Sequence, residues 1–172
     1  AYAMEHNLRF AVFSPENYPT ELHLIKLVSK YWGLPFYSDG RMSEEQLMTA
    51  TNFVKEHFFF IEPYEDDVSL DAILNLVKEV DSKHKLAGFI IDPWNEIEHN
   101  VPTNKTETQY IGDSLTRIRR FGRKHNISPF IVAHPTKLLP PKVGEPFPVP
   151  TAYNINGGAM WFNKADNILT VY

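Results

Sequence analysis

The sequence predicts an α/β fold, a mainly parallel sheet covered by helices on both faces, and three strings carry that prediction. Leu86-Ala-Gly-Phe-Ile-Ile-Asp92 is a continuous apolar run that ends abruptly in an acid. Phe130-Ile-Val-Ala-His134-Pro135 repeats the design with a histidine at its tip, and Phe10-Ala-Val-Phe-Ser-Pro-Glu16 ends in a glutamate. Runs of this kind are buried on both faces, as parallel strands are, and ligands of open α/β sheets bind at the carboxyl ends of such strands. Polar strand ends also occur simply because chains leave the core there. Three ionisable tips in one chain favour a shared site containing Glu16, Asp92 and His134.

The elements follow in order. Ala1 to His6 reads as the last turns of a helix stopped by Asn7, and strand Leu8–Ser14 follows directly. Beyond Pro19 an amphipathic helix places Leu22, Ile25, Leu27, Val28 and Tyr31 inward and ends at Gly33. Ser43-Glu-Glu-Gln46 is a capping box opening a helix through Val54. Phe58-Phe-Phe-Ile-Glu-Pro63 is a second strand whose phenylalanines belong in the core. Ser69 starts a helix with Leu70, Ile73, Leu74, Val77 and Val80 at helical spacing. After the Asp92 strand come a polar loop from Asn95 to Lys105 and a long helix from about Thr106 to Lys124. Lys137 to Pro150 is proline-rich and aperiodic, a candidate functional loop. Asn154 to Asp166 is partly helical, and Asn167-Ile-Leu-Thr-Val-Tyr172 is expected as a last strand.

Composition narrows the function. With 172 residues, 43% hydrophobic and 22% charged, one globular domain with a real core is expected. A net charge of −4 argues against a free-standing basic nucleic-acid binder but leaves room for contact through one loop or a ring of subunits. The chain has no cysteine, hence no disulfide framework, thiolate nucleophile or zinc–thiolate site. No apolar stretch approaches the roughly 20 residues of a membrane helix. The first residues show no signal-peptide pattern, so a cytoplasmic setting is expected.

Each chemical motif has a plain alternative. Asp92 after an apolar strand has the form of a Walker B acid that holds Mg²⁺ directly or through water, and equally of a helix cap or a loop salt-bridge partner. Glu16 is placed to polarise an attacking water, or is a surface acid opening a helix. His134 is a candidate for contact with a terminal phosphate or metal, though a strand-end histidine is more often just hydrogen-bonded. Arg117-Ile-Arg-Arg-Phe-Gly-Arg-Lys124 resembles a nucleic-acid patch, but helical spacing puts its cations on a solvated face. Gly157 and Gly158 permit positive φ or close backbone approach. Asp92, Glu96, Glu98, His99 and His134 would together suit a divalent ion, so a metal-dependent hydrolase is the runner-up.

In order and spacing these strings resemble the RecA-like ATPase core of the ring-shaped helicases, the DnaB and Twinkle-like group, most of all the helicase part of phage-type primase-helicases. Phe13-Ser-Pro-Glu16 matches the family's catalytic glutamate, Ile90-Ile-Asp92 its Walker B strand and Val132-Ala-His134-Pro135 its phosphate-sensing strand. Gly157-Gly-Ala-Met-Trp-Phe-Asn-Lys-Ala-Asp166 matches a block beside the family's DNA-facing loop. The resemblance implies a RecA-like P-loop NTPase core using ATP or another NTP with Mg²⁺, Asp92 toward the metal and Asp92 with His134 on the cofactor. It implies single-stranded DNA as partner, met by Lys137, Lys142, Asn156, Gly157, Gly158 and Lys164. It further implies a homo-oligomeric ring, a hexamer, and a bacterial or phage origin, and leaves open whether a primase domain is attached upstream. A KaiC-like regulatory ATPase without unwinding activity shares the same core and is the third reading. No Gly-x-x-x-x-Gly-Lys-[Ser/Thr] occurs in the sequence, and the family's arginine finger follows its last strand. The expectation is therefore one partial domain over residues 1–172, truncated at its N-terminus before the P-loop and at its C-terminus before the finger.

Overall fold

The structure, a computed structural model, describes residues 2–63, 68–137, 140–141, 144 and 146–171. Four strands form a parallel sheet: β1 (Phe10–Phe13), β2 (Phe58–Phe60), β3 (Gly88–Ile91) and β4 (Ser128–Ile131), in the order β2-β1-β3-β4. The connections are helical: α2 (Thr20–Trp32) and α3 (Glu44–His57) join β1 to β2, α4 (Leu70–His84) joins β2 to β3, and α5 (Glu107–His125) joins β3 to β4. A short α1 (Tyr2–Glu5) precedes β1 and α6 (Gly158–Lys164) follows β4.

Alternation along the strands assigns the two faces. Register aligns Ala11 with Phe59 and Phe89, and these residues with Phe13 and Ile91 pack against the apolar sides of α4, α5 and α6. One residue out of phase, Phe10 stacks on Phe58, ring centroids 6.0 Å apart, and Phe58 meets the α2–α3 cluster of Val28, Met42, Ala50 and Val54. Helices therefore cover both faces, as the buried runs predict. Gly88 lets the aromatic layer close: a Cβ there would lie 2.6 Å from the Ser128 carbonyl and 3.0 Å from the Phe130 ring.

The helix boundaries follow their caps. Ser43 and Thr106 each accept from the backbone N–H three residues on, and Gln46 and Gln109 reach back to the cap N–H, so both are capping boxes. Ser69 accepts from the Ala72 N–H, and α2 stops where Gly33 turns left-handed at φ 68°. Asn7 is left-handed too (φ 52°), the expected stop for the first helix.

Four expectations need correction. Leu22 is exposed on α2, and Leu24 takes its place beside Leu27 and Val28 in the α2–α3 cluster. Phe58, Phe59 and Phe60 are each half-buried, because β2 is an edge strand with one neighbour among the described residues. Strand β4 begins at Ser128 and ends at Ile131, earlier than the Phe130–Ala133 run, leaving His134 in the loop beyond. Residues 167–171 form no strand: Leu169 and Val171 are almost wholly exposed, and Thr170 Oγ1 donates to the Pro150 carbonyl at 3.1 Å. A strand needs a ladder partner for its backbone groups, and among the described residues none lies beside this segment.

Candidate active site at the carboxyl edge of the sheet

Parallel strands share one carboxyl edge, so residues just past β1, β3 and β4 meet there. The Asp92 N–H donates to the Phe13 carbonyl at 2.9 Å, and the Trp94 N–H donates to the Val132 carbonyl at 2.8 Å. These bonds extend the ladders past the strands and hold the three exits side by side. The Ser14 hydroxyl donates to Asp92 Oδ2 at 3.1 Å, and His134 Nε2 lies 3.6 Å from Glu16 Oε2. The three predicted residues thus converge. Asp92 is half-buried, whereas Glu16 and His134 stand about half exposed, open to a ligand arriving from solvent. Exposure also keeps the Glu16–His134 pair weak, of the order of 0–1 kcal/mol even when the imidazole is protonated.

His134 is steered by its loop. Its backbone N–H points to Asn95 Oδ1 at 3.5 Å, and Thr136 donates twice to the Asn154 carbonyl, from N at 2.6 Å and from Oγ1 at 2.8 Å. The strand-end histidine is therefore tied to the turn preceding α6. A cavity of about 190 Å³ lies between them, lined by Trp94, His99, Tyr110, His134 and Asn156 among others.

Lys137 is exposed, and Lys142 lies outside the described residues. The Asn156 amide donates to Glu107 Oε1 at 2.6 Å, and its carbonyl accepts the Trp161 indole N–H at 2.9 Å. Gly157 is left-handed (φ 71°), and a Cβ on Gly158 would lie 2.6 Å from the Tyr153 backbone. Both glycines therefore have an internal reason to be glycine, packing α6 against its own turn. Lys164 lines a groove of about 490 Å³ between α5 and α6, with Lys105 and Asp113. Asp113 sits below the usual carboxylate range because Lys105 hydrogen-bonds it at 2.7 Å, with Lys164 adding to the effect.

No family model matches the chain. The Twinkle homolog protein, chloroplastic/mitochondrial, of Arabidopsis thaliana is 33% identical over 171 residues, which is 95% of this chain and 23% of that protein. The chain thus spans about a quarter of the length of the relative it matches. Among solved structures, the ATPase domain of G40P superposes with a TM-score of 0.63 at 13% identity, covering 94% of this chain and 58% of that one. A DnaB-like replicative helicase, solved to describe its interactions with primase, gives a TM-score of 0.58 at 14% identity over 77% of this chain and 34% of its own. The sequence match to a Twinkle homolog and the RecA-like superpositions agree. The chain is similar in sequence to part of a Twinkle homolog and shares the RecA-like α/β fold of helicase ATPase domains.

The runner-up hydrolase reading finds no support in the geometry. Among the described residues no group of three or more His, Asp or Glu is arranged to hold a metal. Glu98 instead pairs its backbone with Val68, and His99 packs its ring 4.9 Å from Trp94 and 5.7 Å from Tyr110. The basic stretch of α5 is a solvated face: Arg117 pairs with Asp71, and Arg119 pairs with Asp166 at 2.9 Å. Sequence reasoning missed Ser14, Asn17 and Asn95, which hold Asp92 and the His134 backbone. Ser14 lies in the string that ends at Glu16 and Asn17 follows it directly, so their position was legible although their partners were not.

Proposed function

We propose that this chain is the motor segment of an NTP-dependent DNA helicase, coupling nucleotide hydrolysis to movement on single-stranded DNA. The observation that supports it most is the convergence of Glu16, Asp92 and His134 at the carboxyl edge of a parallel sheet. The donor chemistry fits Mg²⁺. Asp92 offers a carboxylate with a hydroxyl fixed on one oxygen, and Mg²⁺ is held through one or two carboxylates, waters and substrate phosphates. When bound, the ion would neutralise charge developing on the transferred phosphoryl group. Glu16 orients the attacking water and accepts its proton, and His134 senses the terminal phosphate. No glycine-rich phosphate cradle with its lysine occurs among these 172 residues.

The residues form part of one RecA-like domain within a homo-hexameric ring, with a primase module in the same protein or bound to it, in bacterial or phage cytoplasm. No described helix is long and apolar enough to cross a membrane. Lys137, Lys142, Asn156, Gly157, Gly158 and Lys164 line the DNA path. The test uses the full-length protein. Glu16→Gln and Asp92→Asn should each lower DNA-stimulated hydrolysis by about 10²–10⁴-fold while the protein stays folded and oligomeric. His134→Ala should keep basal hydrolysis and lose its stimulation by DNA. Hydrolysis at the wild-type rate in Glu16→Gln would sink the reading.

A further inference from the structure

A chain of hydrogen bonds runs from the surface to Asp92. Lys26 Nζ on α2 donates to Asn17 Oδ1 at 2.8 Å, Asn17 Nδ2 donates to Ser14 Oγ at 2.8 Å, and Ser14 Oγ donates to Asp92 Oδ2 at 3.1 Å. Its direction follows from chemistry. An ammonium group has only protons to give, so the amide oxygen must face Lys26 and the amide N–H₂ must face Ser14. The serine oxygen then accepts from Asn17, and its single proton is left for the carboxylate. Flipping the amide would set two donors against each other at Lys26. Every dipole therefore points one way, positive end toward Asp92, and such aligned bonds strengthen one another. Asn17 and Ser14 are half-buried, which limits competition from water, whereas Lys26 is exposed.

We propose that Ser14, Asn17 and Lys26 form a positioning relay that fixes the Asp92 carboxylate, occupying Oδ2 and presenting Oδ1 to the divalent ion. This deepens the site reading above and rests on it. A carboxylate pinned at one oxygen offers the metal a single, oriented ligand atom. Without the pin it turns freely and must lose that freedom on each binding event. Partners of this kind, which hold a ligand from behind, typically change metal affinity by about 10–100-fold when removed.

Asn17→Asp separates a relay from simple packing. The substitution keeps shape and keeps an acceptor for Lys26, but it replaces the amide donor by a second carboxylate oxygen. The Ser14 proton is then drawn away from Asp92. In the full-length protein with bound nucleotide, Mn²⁺ affinity is read by electron paramagnetic resonance, and the Mg²⁺ concentration for half-maximal hydrolysis is read beside it. Ser14→Ala and Asn17→Asp should each weaken Mn²⁺ binding by about 10-fold or more, with the Mg²⁺ requirement rising in parallel. Ser14→Thr, which keeps the hydroxyl, should restore it, and Lys26→Met should give a smaller loss of about two- to threefold. If Ser14→Ala does not fold, the near-isosteric Asn17→Asp decides alone. Mn²⁺ affinity in Asn17→Asp within about twofold of wild type overturns the relay, even if the melting temperature falls. A wild-type protein that neither hydrolyses NTP nor binds Mn²⁺ with nucleotide overturns the site reading itself, and the relay with it.

Discussion

His23 shows what the site demands of a single residue. It sits on the first half of α2 with its ring edge-on to Phe60, centroids 5.0 Å apart, and its Nδ1 is buried with no hydrogen-bond partner among the described residues. Burial holds its pKa below the usual histidine value of 6.5; nearby Asp92 pulls it up, and Lys26 and Lys30 push it down. His99 is lowered likewise, first by burial, against a backbone bond at Trp94 and the Glu107 charge. A histidine with a depressed native pKa binds protons more readily when unfolded. Its penalty is absent above about pH 6.5 and grows as pH falls through that value toward the native pKa. Replacing both by glutamine should therefore change the melting temperature little at about pH 7.5 and raise it relative to wild type at about pH 5.5. A difference that stays constant across this range would remove these histidines as the acid-sensitive groups.

At the scale of elements, the turn into α6 has the least slack. A Cβ on Gly158 meets the Cα and carbonyl of Tyr153 at 2.6 Å, and backbone cannot swing aside as a side chain can. On Gly157 the added atom meets Ile111 Cδ1 at 2.8 Å, the movable end of a side chain, with left-handed φ as the further cost. Gly158→Ala should thus destabilise by about 1–3 kcal/mol, roughly 2–10 °C in melting temperature, and more than Gly157→Ala. Thermal denaturation of the two variants checks the order, and an equal or reversed ranking would contradict the packing of this turn. Element starts were the most legible part of the sequence, because Ser43, Ser69 and Thr106 cap through bonds to residues three positions away. Residues 167–171 read as a strand from composition alone, but a strand is made by its neighbour, and sequence carries no trace of whether one is there. Leu22 failed for a related reason: the helical period fixes a stripe and leaves open how far along the helix its partner α3 extends.

Across the whole molecule, what sequence conveyed was the carboxyl edge, since a parallel sheet collects every strand exit on one side. The Ser14–Asn17–Lys26 chain stayed hidden because side-chain aim depends on packing across 78 positions, from Ser14 to Asp92. The same architecture leaves one edge open. Among the described residues strand β4 takes no strand partner on the side away from β3, and Phe130 and Val132 are 50% and 41% exposed. Such an edge templates pairing between chains, and an edge lysine blunts it. The isolated 172-residue chain should self-associate with rising concentration, and Val132→Lys should shift it toward monomer in sedimentation velocity. A wild-type chain that stays monomeric would show the edge to be covered. The carboxyl side carries the other molecule-scale consequence. Lys137 is exposed beyond His134, and Lys164 stands in the α5–α6 groove beside Lys105, which Asp113 already engages. One subunit offers few cations, so in the proposed ring single-stranded DNA would be held by repetition, where linked sites raise effective concentration. In the full-length protein, Lys137→Ala with Lys164→Ala should weaken DNA binding and DNA-stimulated hydrolysis while basal hydrolysis holds. Each phosphate that a lysine no longer neutralises should flatten the log–log salt dependence by about 0.7, because its condensed counterions stay on the strand. An unchanged slope in the double variant would take both lysines out of the DNA path and return the groove to a solvated cleft between two helices.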